Sequence, residues 1–335
     1  MMTILLLVSF LTFVFYYLAS FDSSNSKYKL PLVICFVLSS FVLRLLLRPE
    51  LNNDYDLYFN FKIFQKPTSF LSIFMGEPYL YMVYAFFKLF TNDKELVFLC
   101  MYWFNFLVGT MFYVWLLTRK DVQMWKKMFL FSCYYFFFSF VLLRNGPAYI
   151  LFAYYFYYVF RGRRFNWILL TPLMHMSSWL LLVTLFHDKK HYFTIFVVLF
   201  ILTALSYFIL FPVLSEMAAF DKIVFKINTY ASGMPIVGII HKLFFVLITI
   251  LILSGGLVYK KKMLNPILVT TLVFYYVTFF INPVMGFRFS PFVFLALFLF
   301  NFEELKNEKI IRFMNLFTVL LFPCFLYALF HTHHL

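Results

Sequence analysis

The sequence predicts an all-α protein, a polytopic bundle of transmembrane helices, from three observations. Hydrophobic residues make up 64% of the 335 residues. Charged residues make up only 13%, whereas a soluble domain carries about 25%. Apolar runs of about twenty residues, the length that a helix needs to cross a bilayer, recur along the whole chain. We therefore predict a single integral membrane domain over residues 1–335, with no soluble module.

About twelve apolar segments follow one another along the chain, and we expect them to be helical. They cover residues 2–19, 29–47, 78–90, 96–117, 128–143, 147–160, 165–186, 192–213, 239–258, 264–281, 289–300 and 311–330. The first segment lacks the basic residues and the clear cleavage site of a signal peptide, so we interpret it as a transmembrane helix. We expect some of the other segments to be re-entrant or broken.

Two polar intervals, 48–77 and 214–238, are longer than the others and mix charged with aromatic residues. That composition favours folded loops or helices lying on the membrane surface over flexible linkers. No internal repeat or low-complexity tract accompanies them. We predict that both intervals face outward and cover the functional site.

The formal net charge is +14, which in a soluble protein would suggest a nucleic-acid partner. Here most Lys and Arg residues lie in short loops between apolar runs, the distribution that is typical of cytoplasmic loops. We therefore expect no nucleic acid to bind. The loops that we expect in the cytoplasm are 118–127, 161–164, 259–262 and 303–312.

The sequence indicates neither metal nor disulfide chemistry. The four cysteines lie in apolar segments without the spacing of a metal site, so we interpret them as small buried residues. The His-Thr-His-His stretch at residues 331–334 favours a solvated tail over a metal site. We accordingly expect no metal and no cofactor.

The basic loops and the long loops conflict if every apolar segment crosses the membrane. Two segments separate residue 77 from residue 118, and two separate residue 164 from residue 214. Full crossings would place basic and long loops on the same face. Segments 78–90 and 165–186 are the expected exceptions, because the first is short and the second contains Thr171-Pro172 and a histidine. Incomplete crossings are tolerated where they line a cavity.

Arg144 is the charged residue within an otherwise apolar stretch, between segments 128–143 and 147–160. Such an arginine costs about 2.5 to 3.5 kcal/mol on insertion scales. It is followed by Asn145, Gly146 and Pro147, and proline favours the first turn of a helix. A helix that begins beside an arginine offers a site for an anion. The alternative is a turn whose arginine reaches lipid phosphate.

Other polar side chains lie at breaks in apolar segments or in the long loops. They are Glu77, His175 with Ser177 and Ser178, Arg288, Asp54 and Asp56 in the first loop, and Lys226 and Tyr230 in the second. Each has an ordinary alternative, such as a helix-packing histidine or solvated carboxylates. The tyrosines at 154, 155, 157 and 158 favour an interfacial belt over a sugar-stacking surface.

The order of these residues resembles the EpsG-like branch of the Wzy-type polysaccharide polymerases. The matching residues, over about residues 50–295, are Asp54-Tyr55 with Tyr58, Glu77-Pro78-Tyr79-Leu80-Tyr81, Arg144 with Ala148, His175 with Ser177, Lys226 with Tyr230, and Arg288-Phe289. Two positions depart from the family pattern. The chain has Asn145 where glutamine is usual, and Pro147 where isoleucine is usual.

The resemblance implies a bacterial plasma-membrane enzyme that joins O-antigen, capsule or exopolysaccharide repeat units. Its partners would be donor and acceptor oligosaccharides on undecaprenyl pyrophosphate, membrane lipids and, as a further candidate, a chain-length regulator. Arg144, Arg288 and Lys226 would bind pyrophosphate, since guanidinium groups hold phosphate bidentately. Glu77, Asp54 and His175 would be catalytic, with a carboxylate as the favoured base. Asp56, Tyr58, Tyr79 and Tyr230 would contact glycan. An outward cavity lined by Arg144, Arg288, Glu77 and His175 is expected.

Other functional classes remain open at this point. A transferase that uses a polyprenyl-monophosphate sugar would share the outer arginines and aspartate. A lipid-linked oligosaccharide flippase or another transporter would show internal repeats and interrupted helices in both halves, which the sequence lacks. A multipass acyltransferase lacks support because no acyl-transfer motif is present.

Overall fold

A computed structural model describes residues 2–21, 26–60, 78–188, 190–194, 196–198, 201–202, 205, 246, 249–250, 265–281, 283–300 and 308–333. These residues are helical or form short turns, and no β-strand occurs among them. The α-helices are α1 Met2–Ser20, α2 Ser26–Leu46, α3 Tyr55–Phe59, α4 Pro78–Lys88, α5 Lys94–Thr118, α6 Met124–Phe136, α7 Asn145–Phe160, α8 Thr171–Met174, α9 Pro266–Ile281, α10 Pro283–Leu299, α11 Glu308–Phe317 and α12 Phe322–Thr332.

Shorter helical turns connect several of these helices. A π-helical segment, Phe137–Val141, continues α6. The 3₁₀ segments are Pro49–Leu51, Asn166–Leu170, Met176–Phe186 and Thr318–Leu321.

The predicted all-helical class is confirmed for the described residues, and the length and composition of several helices favour a membrane protein. Four stretches are long and apolar enough to cross a bilayer: Met2–Ser20, Lys27–Leu46, Lys94–Thr118 and Ile311–Thr332. Two shorter apolar helices, Pro266–Phe279 and Gly286–Leu299, also occur in the described part of the chain. The finer expectation of about twelve apolar segments stays a prediction.

The chain divides into two compact units. Unit 1 consists of residues 1–178 and 298–335, and unit 2 consists of residues 179–297. In unit 2, the Tyr192 hydroxyl hydrogen-bonds to Thr270 of α9, and Phe196 packs edge-on against Phe274 with ring centroids 5.4 Å apart. The whole second long loop, 214–238, and residues 61–77 of the first lie outside the described residues.

The core of unit 1 is built from aromatic side chains of α1, α2, α5, α6 and α12. The rings of Tyr16 and Phe131 stack with centroids 3.9 Å apart, and Phe131 stacks on Phe325 at 5.0 Å. Phe36 and Tyr113 meet the same rings edge-on. Each such pair contributes about 0.5–1.5 kcal/mol beyond burial of its area, so this cluster fixes how the long helices pack.

Helix α4 is too short to cross a membrane, as the sequence predicted for segment 78–90. Its eleven residues span about 16 Å at 1.5 Å per residue, against a hydrocarbon core of about 30 Å. Phe59, which precedes α4 in the chain, and Lys94, which follows it, lie at one end of unit 1, because the Lys94 nitrogen is 3.9 Å from the Phe59 ring centre. Helix α5 begins there after Asp93, whose carboxylate accepts a hydrogen bond from the Glu95 N–H (2.9 Å).

Two of the basic loops, 118–127 and 161–164, lie at the opposite end of unit 1 from residues 48–60. Helix α5 has twenty-five residues and so extends about 37 Å before the loop that contains Asp121. Asp121 accepts hydrogen bonds from Tyr157 (2.8 Å) and Arg161 at the end of α7. Since α4 does not cross, loops 118–127 and 161–164 share one face and the first long loop begins on the other. The conflict in the loop count disappears for this part of the chain.

Segment 165–186 is broken, as predicted. It consists of two 3₁₀ segments separated by the four residues of α8, with Pro172 in the first turn of that helix. His175 interrupts the helical backbone with an extended conformation, φ −148° and ψ 115°. The break therefore occurs at the histidine that the sequence singled out.

His333 does not belong to a solvated tail, as the sequence predicted for residues 331–334, whereas His331 is exposed and His334 lies outside the described residues. His333 is 3% exposed and pairs with Asn52 in an isolated antiparallel bridge. The Asn53 N–H donates to the Thr332 carbonyl (3.2 Å), and its side-chain amide donates to the His331 carbonyl (2.9 Å). The first loop thus satisfies backbone groups at the end of α12 and lies against His333.

The sequence suggested that Arg288 lies at the entrance of a helix, and the structure shows that this prediction was wrong. Helix α10 begins at Pro283, so Arg288 lies inside it, half-buried. Pro291 lies within the same helix and cannot donate to the carbonyl of Phe287. The Ser290 hydroxyl donates to that carbonyl instead (2.7 Å), which lets the helix continue past the proline.

Candidate functional site

A π-helical turn delivers Arg144 to one end of unit 1. The Leu142 N–H donates to the Phe137 carbonyl (2.8 Å), five residues back. The chain then leaves helical geometry at Leu142, and α7 begins at Asn145. Pro147 fits in the first turn of α7, where its missing N–H costs no hydrogen bond. The helix begins two residues earlier than the sequence predicted, since the Gly146 N–H donates to the Leu142 carbonyl (3.2 Å).

Two asparagines satisfy carbonyl groups of the π-helical segment. The side-chain amide of Asn105, on α5, donates to the Phe138 carbonyl (3.0 Å). That of Asn52, in the first loop, lies 3.4 Å from the Phe140 carbonyl. Both asparagines are buried. Wide turns of this kind occur often at functional sites, and here the contacts tie the Arg144 turn to both α5 and the first loop.

Gly109 lets α5 approach the π-helical segment closely. A Cβ atom at this position would lie 2.6 Å from the Cα of Ser139 and 2.9 Å from the carbonyl oxygen of Phe138. No larger residue fits at such distances without moving one backbone away from the other. The position of the Arg144 turn therefore depends on this glycine.

Arg144 is nearly buried, with 8% of its surface exposed. Its Nε donates to the side-chain oxygen of Asn145 (3.2 Å), which is itself 5% exposed. A guanidinium that is removed from water favours an oxyanion within reach, because bidentate hydrogen bonds to an anion offset the lost hydration. Asn145 thus orients the arginine.

The first loop packs its Asp-Tyr motif beside this turn. Tyr58 is 5% exposed and lies in one apolar cluster with Tyr102 of α5, Leu80 of α4 and Leu143, the neighbour of Arg144. Asp54 precedes α3, and its N–H donates to the side-chain oxygen of Asn52 (2.9 Å). The cluster therefore brings α3, the start of α4 and the Arg144 turn into contact.

Residues around this cluster remain partly accessible. Asp56 is exposed and Tyr79 is half-buried. Burial, followed by the negative charges of Glu50, Glu95 and Asp56, raises the pKa of Tyr55 to about 12. The Tyr55 phenol is therefore neutral at physiological pH and remains a hydrogen-bond donor.

His175 directly follows α8 and lies against α7. It is 6% exposed, and its ring meets that of Tyr149 edge-on with centroids 6.2 Å apart. The Ser178 N–H and hydroxyl both donate to the His175 carbonyl (3.0 and 2.6 Å). Helix α8, which precedes it, contacts both α4 and α7. The break at His175 is thus held against α4, which contains Tyr79, and α7, which begins after Arg144.

The structure brings five predicted site residues onto mutually contacting elements of unit 1. They are Asp54, Asp56, Tyr58, Tyr79 and Arg144, and α8 links His175 to the same elements. Arg288 belongs to unit 2. Glu77, Lys226 and Tyr230 lie outside the described residues, so their roles stay predictions. In the described ranges no group of three His, Cys, Asp or Glu side chains is arranged to hold a metal ion.

Sequence reasoning missed Asn52, Asn105 and Arg44. An asparagine within an apolar helix, as at position 105, was a usable signal, because a buried amide requires hydrogen-bond partners. Asn52 and Arg44 carried no such signal, since they lie near a helix end where polar residues are common.

Comparison of the chain with protein-family models, with curated proteins and with solved structures found no match.

Proposed function

We propose that this protein is a membrane glycosyltransferase that polymerises lipid-linked oligosaccharide repeat units on the outer face of the bacterial plasma membrane. Donor and acceptor are glycans carried on undecaprenyl pyrophosphate. The observation that supports this proposal best is the convergence of Asp54, Tyr58, the start of α4 and Arg144 at one end of unit 1. That end lies opposite loops 118–127 and 161–164, whose basic residues the charge rule assigns to the cytoplasm.

The reaction needs two kinds of group that this end of the protein offers. A hydroxyl oxygen of the acceptor glycan bonds to the anomeric carbon of the donor. The bond from that carbon to the pyrophosphate oxygen breaks, and undecaprenyl pyrophosphate leaves with the electron pair. The hydroxyl proton passes to a basic side chain. Charge accumulates on the leaving group, so a fixed guanidinium nearby stabilises the transition state more than the ground state.

Arg144 is the proposed contact to the leaving pyrophosphate. It is nearly buried, always charged, and held by Asn145 at the start of a helix whose N–H groups also favour an anion. Arg288 and Lys226 are proposed as further pyrophosphate contacts on the resemblance alone. Pyrophosphate is a good leaving group, so positioning of donor and acceptor supplies much of the rate.

The proposed base is a carboxylate, Asp54 or Glu77, and His175 orients the substrate or contacts phosphate. Asp54 supports this role because it sits before α3, beside the cluster that contacts the Arg144 turn. The proposed glycan contacts are Asp56, Tyr58, Tyr79 and Tyr230. Exposed Asp56 and half-buried Tyr79 suit a polyhydroxylated ligand, since they offer hydrogen-bond acceptors and an apolar face.

A donor-competition assay tests this function. Membranes from cells that lack the chromosomal gene, with and without the protein, receive the repeat unit on either undecaprenyl pyrophosphate or undecaprenyl monophosphate. We expect a ladder of products from the pyrophosphate donor alone. A single linkage made from the monophosphate donor would identify the other transferase class, and transbilayer movement of either glycolipid without new linkages would identify a flippase.

Variants in the first loop provide the matched comparison for this assay. Asp54→Asn removes the proposed base with little change in shape, and we expect the ladder to be lost. Glu50→Gln removes an exposed carboxylate four residues earlier, and we expect a normal ladder. Equal ladders from both variants at equal protein levels would eliminate Asp54 as the base.

A further inference from the structure

A second buried guanidinium lies at the same end of unit 1. Arg44, in the last turn of α2, is 2% exposed. Its Nη1 donates to the Leu47 carbonyl (3.1 Å). Its central carbon lies 5.5 Å, 5.7 Å and 5.8 Å from the ring centres of Tyr102, Trp103 and Phe140. The guanidinium is thus surrounded by aromatic rings, and one of its three nitrogen atoms is used.

The unused nitrogen atoms form one edge of the guanidinium. Neither Nε nor Nη2 has a hydrogen-bond partner in the described part of the chain, and no ion pair involves Arg44 there. The N–H groups on this edge point in the same direction and match the spacing of two oxygen atoms of one oxyanion. Aromatic rings stabilise the cation but do not replace these hydrogen bonds, which a buried donor requires.

We propose that the Nε–Nη2 edge of Arg44 binds the phosphate group of a lipid. The side chain lies two residues before the end of the apolar stretch Lys27–Leu46, which corresponds to the depth of headgroups at a bilayer surface. Phosphate is the oxyanion that membrane lipids and polyprenyl carriers both bring to this depth. The proposal does not depend on the polymerase activity, because binding requires no turnover.

Binding at this edge requires a small movement of the first loop. Asn52 lies 3.4 Å from both the Tyr102 hydroxyl and the Phe140 carbonyl, at the long limit of hydrogen-bond distances. Tyr102 and Phe140 both enclose Arg44, so these two weak contacts of Asn52 are the ones that break most easily. Because the Asp54 N–H donates to the Asn52 side chain (2.9 Å), a ligand on Arg44 would also shift Asp54.

Native mass spectrometry of the full chain, delipidated in a maltoside detergent that contains no phosphate, measures this binding. The probes are dioleoyl phosphatidylglycerol, undecaprenyl pyrophosphate, dioleoylglycerol and oleate. We expect the wild type to retain phosphate-bearing lipids, and Arg44→Gln to weaken their binding at least tenfold. The matched control Arg48→Gln removes an exposed charge four residues on and should bind like the wild type.

The four probes distinguish the sources of the phosphate. Loss of phosphatidylglycerol alone in Arg44→Gln identifies a structural lipid, and loss of undecaprenyl pyrophosphate alone identifies a carrier lipid; either result supports the site. Unchanged binding in Arg44→Gln, or binding of dioleoylglycerol or oleate equal to that of the phosphate lipids, would overturn it. If Arg44→Gln does not fold, Arg44→Lys keeps the charge but lacks the planar edge, and binding as tight as the wild type would also overturn the proposal.

Discussion

Replacement of Gly109 by alanine probes the contact that positions the Arg144 turn. The added Cβ would lie 2.5 Å from the Ser139 hydroxyl oxygen, 2.6 Å from the Ser139 Cα and 2.9 Å from the Phe138 carbonyl oxygen. The hydroxyl can rotate away, but the two backbone atoms cannot. Since non-bonded carbon atoms pack at about 3.5–4.0 Å, α5 and the π-helical segment must separate by about 1 Å.

The expected cost follows from three contributions. Overpacking of a tight contact costs about 1–3 kcal/mol. Separation also stretches the 3.0 Å hydrogen bond from Asn105 to Phe138, which is worth about 1 kcal/mol. Alanine regains about 1 kcal/mol over glycine within a helix. We therefore expect Gly109→Ala to lower the free energy of unfolding by about 1–3 kcal/mol, and to reduce polymer formation because the Arg144 turn moves.

Thermal unfolding of the purified protein and the glycan ladder in cells measure these two effects. Gly146→Ala is the matched control, because a Cβ at Gly146 would meet its nearest neighbours at 3.4–3.7 Å, an ordinary contact distance. Its stability should equal that of the wild type within about 0.5 kcal/mol. A Gly109→Ala variant as stable and as active as Gly146→Ala would refute this account of the turn.

Three further predictions follow from the described contacts. With the native cysteines replaced, a cysteine at Asn53 should react with an impermeant thiol reagent from outside the cell, and a cysteine at Lys120 should not. The reverse pattern would contradict the assignment of the first loop to the outer face and of loop 118–127 to the cytoplasm. Burial acts to raise the pKa of Asp121, but hydrogen bonds and positive charge outweigh it and hold this pKa below its ordinary value. The stability that ionised Asp121 contributes is present above its ordinary pKa of about 3.9 and is lost as pH falls through the lowered pKa. Asp121→Asn should therefore lower the melting temperature at neutral pH, and the difference from the wild type should vanish in acid. A difference in melting temperature that does not depend on pH would exclude a stabilising role of the Asp121 carboxylate. Asn105→Leu leaves the Phe138 carbonyl unsatisfied, and thermal unfolding should show a loss of about 1–3 kcal/mol, whereas wild-type stability would mean that the hydrogen bond is dispensable.

The sequence predicted the features of this protein that follow from local composition. Low charge and long apolar runs predicted the helical membrane class, and prolines predicted the breaks near Arg144 and before His175. The shortness of segment 78–90 predicted that α4 does not cross. In each case the residues that decide the structure lie within a few positions of one another.

Features that depend on distant contacts were beyond the reach of the sequence. The tail was predicted to be solvated, but His333 is buried beside the backbone of Asn52 and Asn53. Nothing local distinguishes Phe137–Val141 from an ordinary α-helix; its wide turn relies on Asn105 and the first loop. The burial of Arg44 likewise requires three rings from two other places in the chain, residues 102–103 and Phe140.

Substitution of Arg144 distinguishes an arginine that binds the leaving pyrophosphate from one that only reaches lipid phosphate. Glycan ladders would be compared between the wild type, Arg144→Ala and Arg144→Lys in cells that lack the chromosomal copy, with equal membrane levels of each protein. We expect Arg144→Ala to abolish the ladder and Arg144→Lys to restore only part of it, because an ammonium group cannot make the bidentate contact to pyrophosphate. A full-length ladder from Arg144→Ala at normal protein levels would show that this arginine only reaches lipid phosphate, and the proposed site would then be wrong.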